Sequence, residues 1–369
     1  MAIPELINAK EKLDSLIYKQ RVALYKPIQI AEILYQVRVG ELSADDIRQN
    51  LELYRNPSKR WRDVVSRQLI NQVSTSSQRY QDNLFDANAM LPEVIAILSE
   101  HNLKFNGVVE RYIYQQFHKR QEVILNLIKL LDLTEPESFQ LSEFLSVFTV
   151  ETGIRRSIDK AYECVVYALF STLVKHLQIN VTIESNITKY DLLKEFEDFT
   201  RVLVGIDSKN TSISIPAKLY RLGVANAADR GLDIWSNFGP AVQVKHLSLT
   251  EDLADDIAES VTADRIVIVC VDGEEDTINR ILNQLSISER IQGIVTQNDL
   301  IRWYGRALRG RFGNILGDDL LSSLRIEFRN EFPFSVTFKE FYYGRGYHLI
   351  KQLKKKPSIF WEGGEEDAQ

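Results

Sequence analysis

Apolar residues recur at helical spacing through the first third of the chain. Leu13, Leu16, Ile17 and Leu24 fall on one stripe, and Ile28, Ala31, Ile33 and Leu34 form another after Pro27. Leu91–Leu98 and Val108–Leu131 continue the pattern, with Pro92 suited to a first helical turn, where its missing N–H costs nothing. The segment Leu133–Phe139, containing Thr134-Glu135-Pro136-Glu137-Ser138, interrupts it. The spacing therefore predicts a helical region over residues 1–135. From Ile154 the periodicity changes. Ser157–Leu177 reads as a strongly apolar helix and Ile179–Ile183 alternates as a strand does. Leu232–Trp235 and Ala241–Leu249 are short β-type runs joined by Ser236-Asn237-Phe238-Gly239-Pro240, which has hairpin-turn chemistry. Thr250 followed by Glu251 and Asp252 marks a helix start. Arg265–Val271 has the continuous β-branched character of a strand buried on both faces. Glu274–Leu285 is expected to be helical and Ile291–Val295 a further strand. Residues 150–297 thus form a predicted mixed α/β core, followed by a basic region over 298–361 and an acidic tail, 362–369.

Composition changes this picture little. With 369 residues, 44% hydrophobic and 26% charged, the chain has the make-up of a soluble globular protein with room for more than one domain. Its net charge of −6 excludes a uniformly basic nucleic-acid coat but permits a local basic groove. Cys164 and Cys270 sit in apolar runs without a CxxC partner, which fits a reducing cytoplasm. The N-terminus lacks the basic-then-apolar pattern of a signal peptide, and no apolar run is long enough for a bilayer span, so a cytoplasmic location is expected.

The chemistry concentrates in Asp233 and in Gln243-Val244-Lys245. Side chains at i and i+2 of a strand share a face, roughly 6.6 Å apart, so Gln243 and Lys245 are expected to project together. Asp233 stands on the neighbouring strand, roughly 4.8 Å across the ladder. A carboxylate, an amide oxygen and an ammonium gathered in this way suit Mg²⁺, which prefers oxygen ligands. Asp233, the Gln243 side chain and the Val244 carbonyl are candidate ligands, and Lys245 a candidate catalytic amine that orients a water and offsets phosphorane charge. Glu163, an isolated acid on the apolar helix, is a further candidate catalytic residue and ligand, because a buried charge needs a partner; an ion pair with Arg155, Arg156 or Lys160 meets that need equally well. A solvated hairpin bearing the same three residues is the plainer alternative.

The spacing resembles the PD-(D/E)xK nuclease superfamily, with Gln243 where an acid usually precedes the lysine. More narrowly, the chain resembles the HaeII-type type II restriction endonucleases. The likeness is carried by Tyr25–Tyr35, by Ser58-Lys59-Arg60-Trp61-Arg62, by Val73–Gln78, and by Leu232–Leu249 with Ala263–Cys270. It implies a PD-(D/E)xK-like core with a mixed sheet flanked by helices, and Mg²⁺-dependent cleavage of double-stranded DNA at a short palindrome. It also implies a companion methyltransferase acting on the same site and, by analogy with a twofold target, a homodimer. A non-catalytic nucleic-acid-binding protein of the same fold, or a repair or structure-specific nuclease, are the alternatives.

Two segments interleave basic, aromatic and small polar residues as DNA contacts require. In Tyr54–Tyr80 the candidates are Arg60, Arg62, Ser76 and Gln78; in Arg302–Lys356 they are Arg302, Arg306, Arg309, Arg311 and Arg345, the first four set among Gly305, Gly310 and Gly313. The competing reading makes Arg302–Arg311 one solvated helix face, and Lys354-Lys355-Lys356 reads as an exposed run. His246 adjoins Lys245 but is expected on the opposite face in a structural role. No GxxxxGK[ST] phosphate loop, dinucleotide glycine motif, GxSxG elbow or zinc-spaced histidine pair is present in the sequence.

Overall fold

A computed structural model describes residues 3–73, 84–222, 232–261, 263–283, 290–350 and 361. The first 133 residues are helical where described. Helices Ile3–Tyr18, Tyr25–Arg38, Pro57–Ile70, Pro92–Lys104 and Val108–Leu133 enclose a core that includes Leu13, Ile28, Leu34, Ile95, Ile113 and Phe117. Pro92 occupies the first turn as expected. Phe338, Phe341, Tyr347 and Trp361, from the far end of the chain, complete this same core. Trp361 is fully buried and donates its indole N–H to His101 Nε2 at 2.9 Å.

The second core lies between the helices and a five-stranded sheet. Its strands are β3 (Leu219–Arg221), β4 (Ile234–Ser236), β5 (Pro240–Val244), β6 (Arg265–Val269) and β7 (Ile291–Val295), in that spatial order. β3, β4 and β5 pair antiparallel, whereas β5, β6 and β7 run parallel. The parallel half needs crossovers, and helices Glu251–Ser260 and Glu275–Asn283 supply them. Thr250 caps the first, its hydroxyl accepting from Leu253 N–H at 3.2 Å. Residues alternate across the sheet. Val242 and Val244 join Ile158–His176, Gln297–Arg309 and Gly313–Glu331 in one core, while Ala241, Ile266 and Ile268 pack with Glu251–Ser260 in another. A mixed sheet flanked by helices, next to a helical N-terminal region, is the class expected.

Several details differ from expectation. The strand predicted over Ala241–Leu249 stops at Val244, because the chain beyond it turns so that Leu249 N–H reaches Asp272 O at 2.8 Å. The alternating run near Ile179 is a strand, β1 (Asn180–Glu184), but it pairs with β2 (Ser212–Pro216) in a separate two-stranded sheet. The hairpin turn holds as expected. Gly239 has φ +113°, and a Cβ there would stand 2.8 Å from Arg265 Nη2. Among the described residues no helix is long and apolar enough to cross a membrane.

Candidate active site

Asp233 immediately precedes β4. The ladder pairs Ile234 with Val242 and Trp235 with Ala241, so its extension sets Asp233 opposite Gln243. Asp233 Oδ2 accepts from Gln243 Nε2 at 2.7 Å and from Val244 N–H at 2.8 Å. Lys245 N–H turns the other way, to Val269 O at 2.8 Å. By strand alternation the Val244 carbonyl therefore faces the same side as its N–H, towards Asp233. Gln243 is 2% exposed, and its Oε1 is a buried oxygen without a hydrogen-bond partner among the described residues. An orphaned amide oxygen costs about 1–3 kcal/mol, and a hard cation is a partner that would remove that cost. Burial pushes the Asp233 carboxyl above its usual range, against the opposing pull of the Val244 N–H, Lys245 and Lys160. Lys245 is half-buried.

Glu163 approaches the same carboxylate from helix Ile158–His176. It is 4% exposed, and Lys160, one turn earlier, reaches both of its oxygens at 2.7 and 2.8 Å. Arg221 Nη1 lies 3.9 Å away. The Glu163 carboxyl is pushed up to about 7, chiefly by burial, with Lys160 opposing and the nearby Asp233 adding to the rise. Glu163 thus has the ion-pair partner that the plainer reading expects, in Lys160, and its charge is raised in cost by that of Asp233. Asp233 and Gln243 are accordingly in direct contact, while Lys245 and Glu163 lie near enough to Asp233 for their charges to be felt. Two carboxylates, an unpartnered amide oxygen and a backbone carbonyl fit a magnesium-like ion, which keeps several waters, better than a softer metal. No cluster of three or more His, Cys, Asp or Glu able to hold an ion exists among the described residues. His246 is half-buried with its ring edge-on to Tyr162 at 5.4 Å, a packing role as expected.

Lys160 also lines a cleft of about 390 Å³ between the helical region and the sheet-bearing part, together with Lys19, Arg21, Lys26, Gln72 and Glu331. Sequence reasoning missed this basic group. Its members come from two remote segments, and only Lys160, at i−3 from Glu163, carried a local signal.

The other candidate DNA contacts divide. Arg60 is exposed on helix Pro57–Ile70, and Arg306 and Arg311 are exposed around the end of helix Gln297–Arg309. Arg62 and Arg345 depart from expectation. Arg62 is 1% exposed and bonded to Gln29 Oε1 and Asp63. Arg345 donates to Glu32 Oε2 at 2.8 Å and stacks 3.5 Å over Tyr35. Each guanidinium offsets a buried acid or polar group that would otherwise be costly. Arg302 pairs with Asp299, and Arg309 donates to Phe139 O at 2.8 Å. Gly310 and Gly313 serve a helix corner, since a Cβ would meet Arg306 O at 2.4 Å and Leu308 O at 2.5 Å respectively. Ser76, Gln78, Lys354–Lys356 and the acidic tail lie outside the described residues.

No solved structure matches the chain. It is 50% identical over 352 residues to the type II restriction enzyme HaeII of Haemophilus aegyptius, covering 94% of this chain and 98% of that one. It is 49% identical over 345 residues to the type II restriction enzyme NgoBI of Neisseria gonorrhoeae, covering 93% and 97%. The sequence profile of the HaeII restriction endonuclease family matches residues 9–347. With that span of matched chain and a nuclease-like sheet carrying the Asp–Gln–Lys set, the protein belongs to the HaeII restriction endonuclease family.

Proposed function

We propose that this chain is a Mg²⁺-dependent type II restriction endonuclease that hydrolyses both strands of DNA at a short palindromic site in the cytoplasm, alongside a methyltransferase that protects the same site. The observation that carries the catalytic assignment is the buried, unpartnered Gln243 Oε1 beside Asp233 and Lys245. Asp233, Gln243 Oε1, the Val244 carbonyl and Glu163 would hold the ion, which when bound polarises the scissile phosphate and acidifies a water. Lys245 orients that water and offsets charge on the phosphate oxygens as it builds up. Asp233 has a second task that needs no ion: by accepting from Gln243 and Val244 it fixes the amide so that Oε1 points outward from the pair. Lys160, bonded to Glu163, keeps the two acids apart electrostatically until substrate arrives.

The duplex backbone follows the cleft lined by Lys19, Arg21, Lys26 and Lys160, with Arg60, Arg306 and Arg311 as outlying phosphate contacts. In this arrangement residues 1–135 and 298–361 hold DNA against a core formed by 150–297. The test is digestion of plasmid DNA with and without EDTA, by the wild-type protein and Lys245→Ala. Discrete fragments that vanish with EDTA are expected. Lys245→Ala should cut at least ~100-fold more slowly, within the range for a positioned proton-transfer group, while retaining binding in a gel-shift assay. Normal cutting by the variant would overturn the site; ragged or structure-dependent products would favour a repair nuclease.

A further inference from the structure

Between helix Ile158–His176 and β3 the chain builds a small module that scarcely covers itself. It consists of β1, helices Tyr190–Glu195 and Glu197–Leu203, and β2. Between Ile179 and Pro216 only Leu193 and Ile206 are buried apolar residues. A lone two-stranded sheet with so little core is marginal by itself. Meanwhile Ile187, Leu192, Phe196, Phe199, Val202 and Leu203 are exposed at 76, 55, 49, 58, 89 and 70%. Leu192 lies on the first of these helices, Phe199, Val202 and Leu203 on the second, and Phe196 at the break between them, so both short helices carry open apolar residues.

With an aromatic side chain offering roughly 150–250 Å² when fully open and an aliphatic one less, these residues and the adjoining Leu177 and Ile179, exposed at 69 and 41%, leave on the order of 800 Å² of apolar surface open in all. That exceeds the roughly 300–600 Å² of the largest patch on an ordinary monomer and equals the roughly 800 Å² that each partner contributes to a standard interface. Positions 184–210 carry six Asp or Glu against four Lys or Arg, a charge balance unsuited to DNA. An apolar surface of this size on one short module closes on itself most simply about a twofold axis.

We infer that the open apolar residues of the helix pair Leu192–Leu203 form the surface through which two copies of this chain associate. The occupant is a second copy because the area suits one isologous contact, and because cutting both strands calls for two active centres. This last step rests on the restriction reading above.

Mass measurement by light scattering, without DNA or metal, tests the surface independently of activity. The wild-type protein is expected to run as two chains, and Phe199→Glu combined with Val202→Glu as one, with an unchanged far-ultraviolet spectrum. The same variant should cut plasmid at least tenfold more slowly at concentrations where the wild type is paired. If the charged variant fails to fold, Val202→Cys provides the alternative. Cys164 and Cys270 are buried, so a short bis-maleimide should link Val202→Cys chains into a two-chain species and leave the wild type unlinked. A single-chain wild type, a charged variant that stays paired, or a cysteine variant that does not cross-link would each overturn the assignment. A paired wild-type protein that cuts no DNA would instead overturn the restriction reading and leave this surface standing.

Discussion

At the scale of single residues, the site is an arrangement of incomplete hydrogen bonding. Asp233 spends one oxygen on Gln243 and Val244, and Gln243 keeps its own oxygen unpaired in a buried place. Replacing Asp233 with Asn leaves one oxygen to accept from Val244 N–H and Gln243 but removes the carboxylate charge, so both cation binding and cutting should fall together. Lys160 offers a different test. Its ammonium sits on both oxygens of Glu163, where it competes with any incoming cation. Lys160→Met should therefore bind Mn²⁺ or Ca²⁺ about tenfold more tightly, about 1.4 kcal/mol, in calorimetric titration. It should also be less stable without metal, since Glu163 then loses its nearest cation and the burial of the two acids is opposed only by Arg221 and Lys245, and regain stability when metal is added. Destabilisation that metal does not relieve would mean that the lysine only packs. The pairing of Asp233 with Gln243 was legible in the sequence because the hairpin turn fixes the register that sets them opposite each other, whereas Lys245 lies one residue past the end of β5, where strand periodicity no longer applies. Lys19, Arg21 and Lys26 were not legible, since nothing local joins a loop near residue 20 to a helix starting at Ile158.

At the scale of elements, periodic segments were readable and pairings were not. The helices at Pro92, Ile158 and Glu275 and the strand Ile291–Val295 follow directly from apolar spacing and capping residues. β3 is only three residues long, too short for a periodic signal, and β1 gives no local hint that its partner is β2 rather than the main sheet. The arginine–glycine stretch shows the same limit. Arginines among glycines suggested backbone open to phosphate, yet Gly310 and Gly313 are small because the chain turns sharply between helices Gln297–Arg309 and Gly313–Glu331. Gly310→Ala should cost on the order of 1–3 kcal/mol, as overpacking does, because the atom it would strike is backbone and cannot swing aside. Urea unfolding measures this; an unchanged midpoint would show that the corner can relax.

At the scale of the whole molecule, the beginning and end of the chain share one core. His101 is 5% exposed, and its Nε2 must be unprotonated to accept from Trp361. Burial, aided by Lys104, lowers its pKa to about 4. Between pH 6.5 and about 4 the unfolded chain carries a proton there that the folded chain refuses. Stability should therefore fall as pH drops through that window, by up to roughly 3 kcal/mol. His101→Gln keeps an acceptor and removes the proton, so its unfolding midpoint should change less between pH 7 and pH 4.5. A slope equal to the wild type's would place the acid sensitivity elsewhere. The shared core also sets an order of events during synthesis. Helices made first by the ribosome wait for Phe338, Phe341, Tyr347 and Trp361 to fill their interior. The helical region therefore cannot close its interior before those later residues are in place, so a change that dislodges Phe341 or Trp361 should loosen helices that lie far from it in the chain.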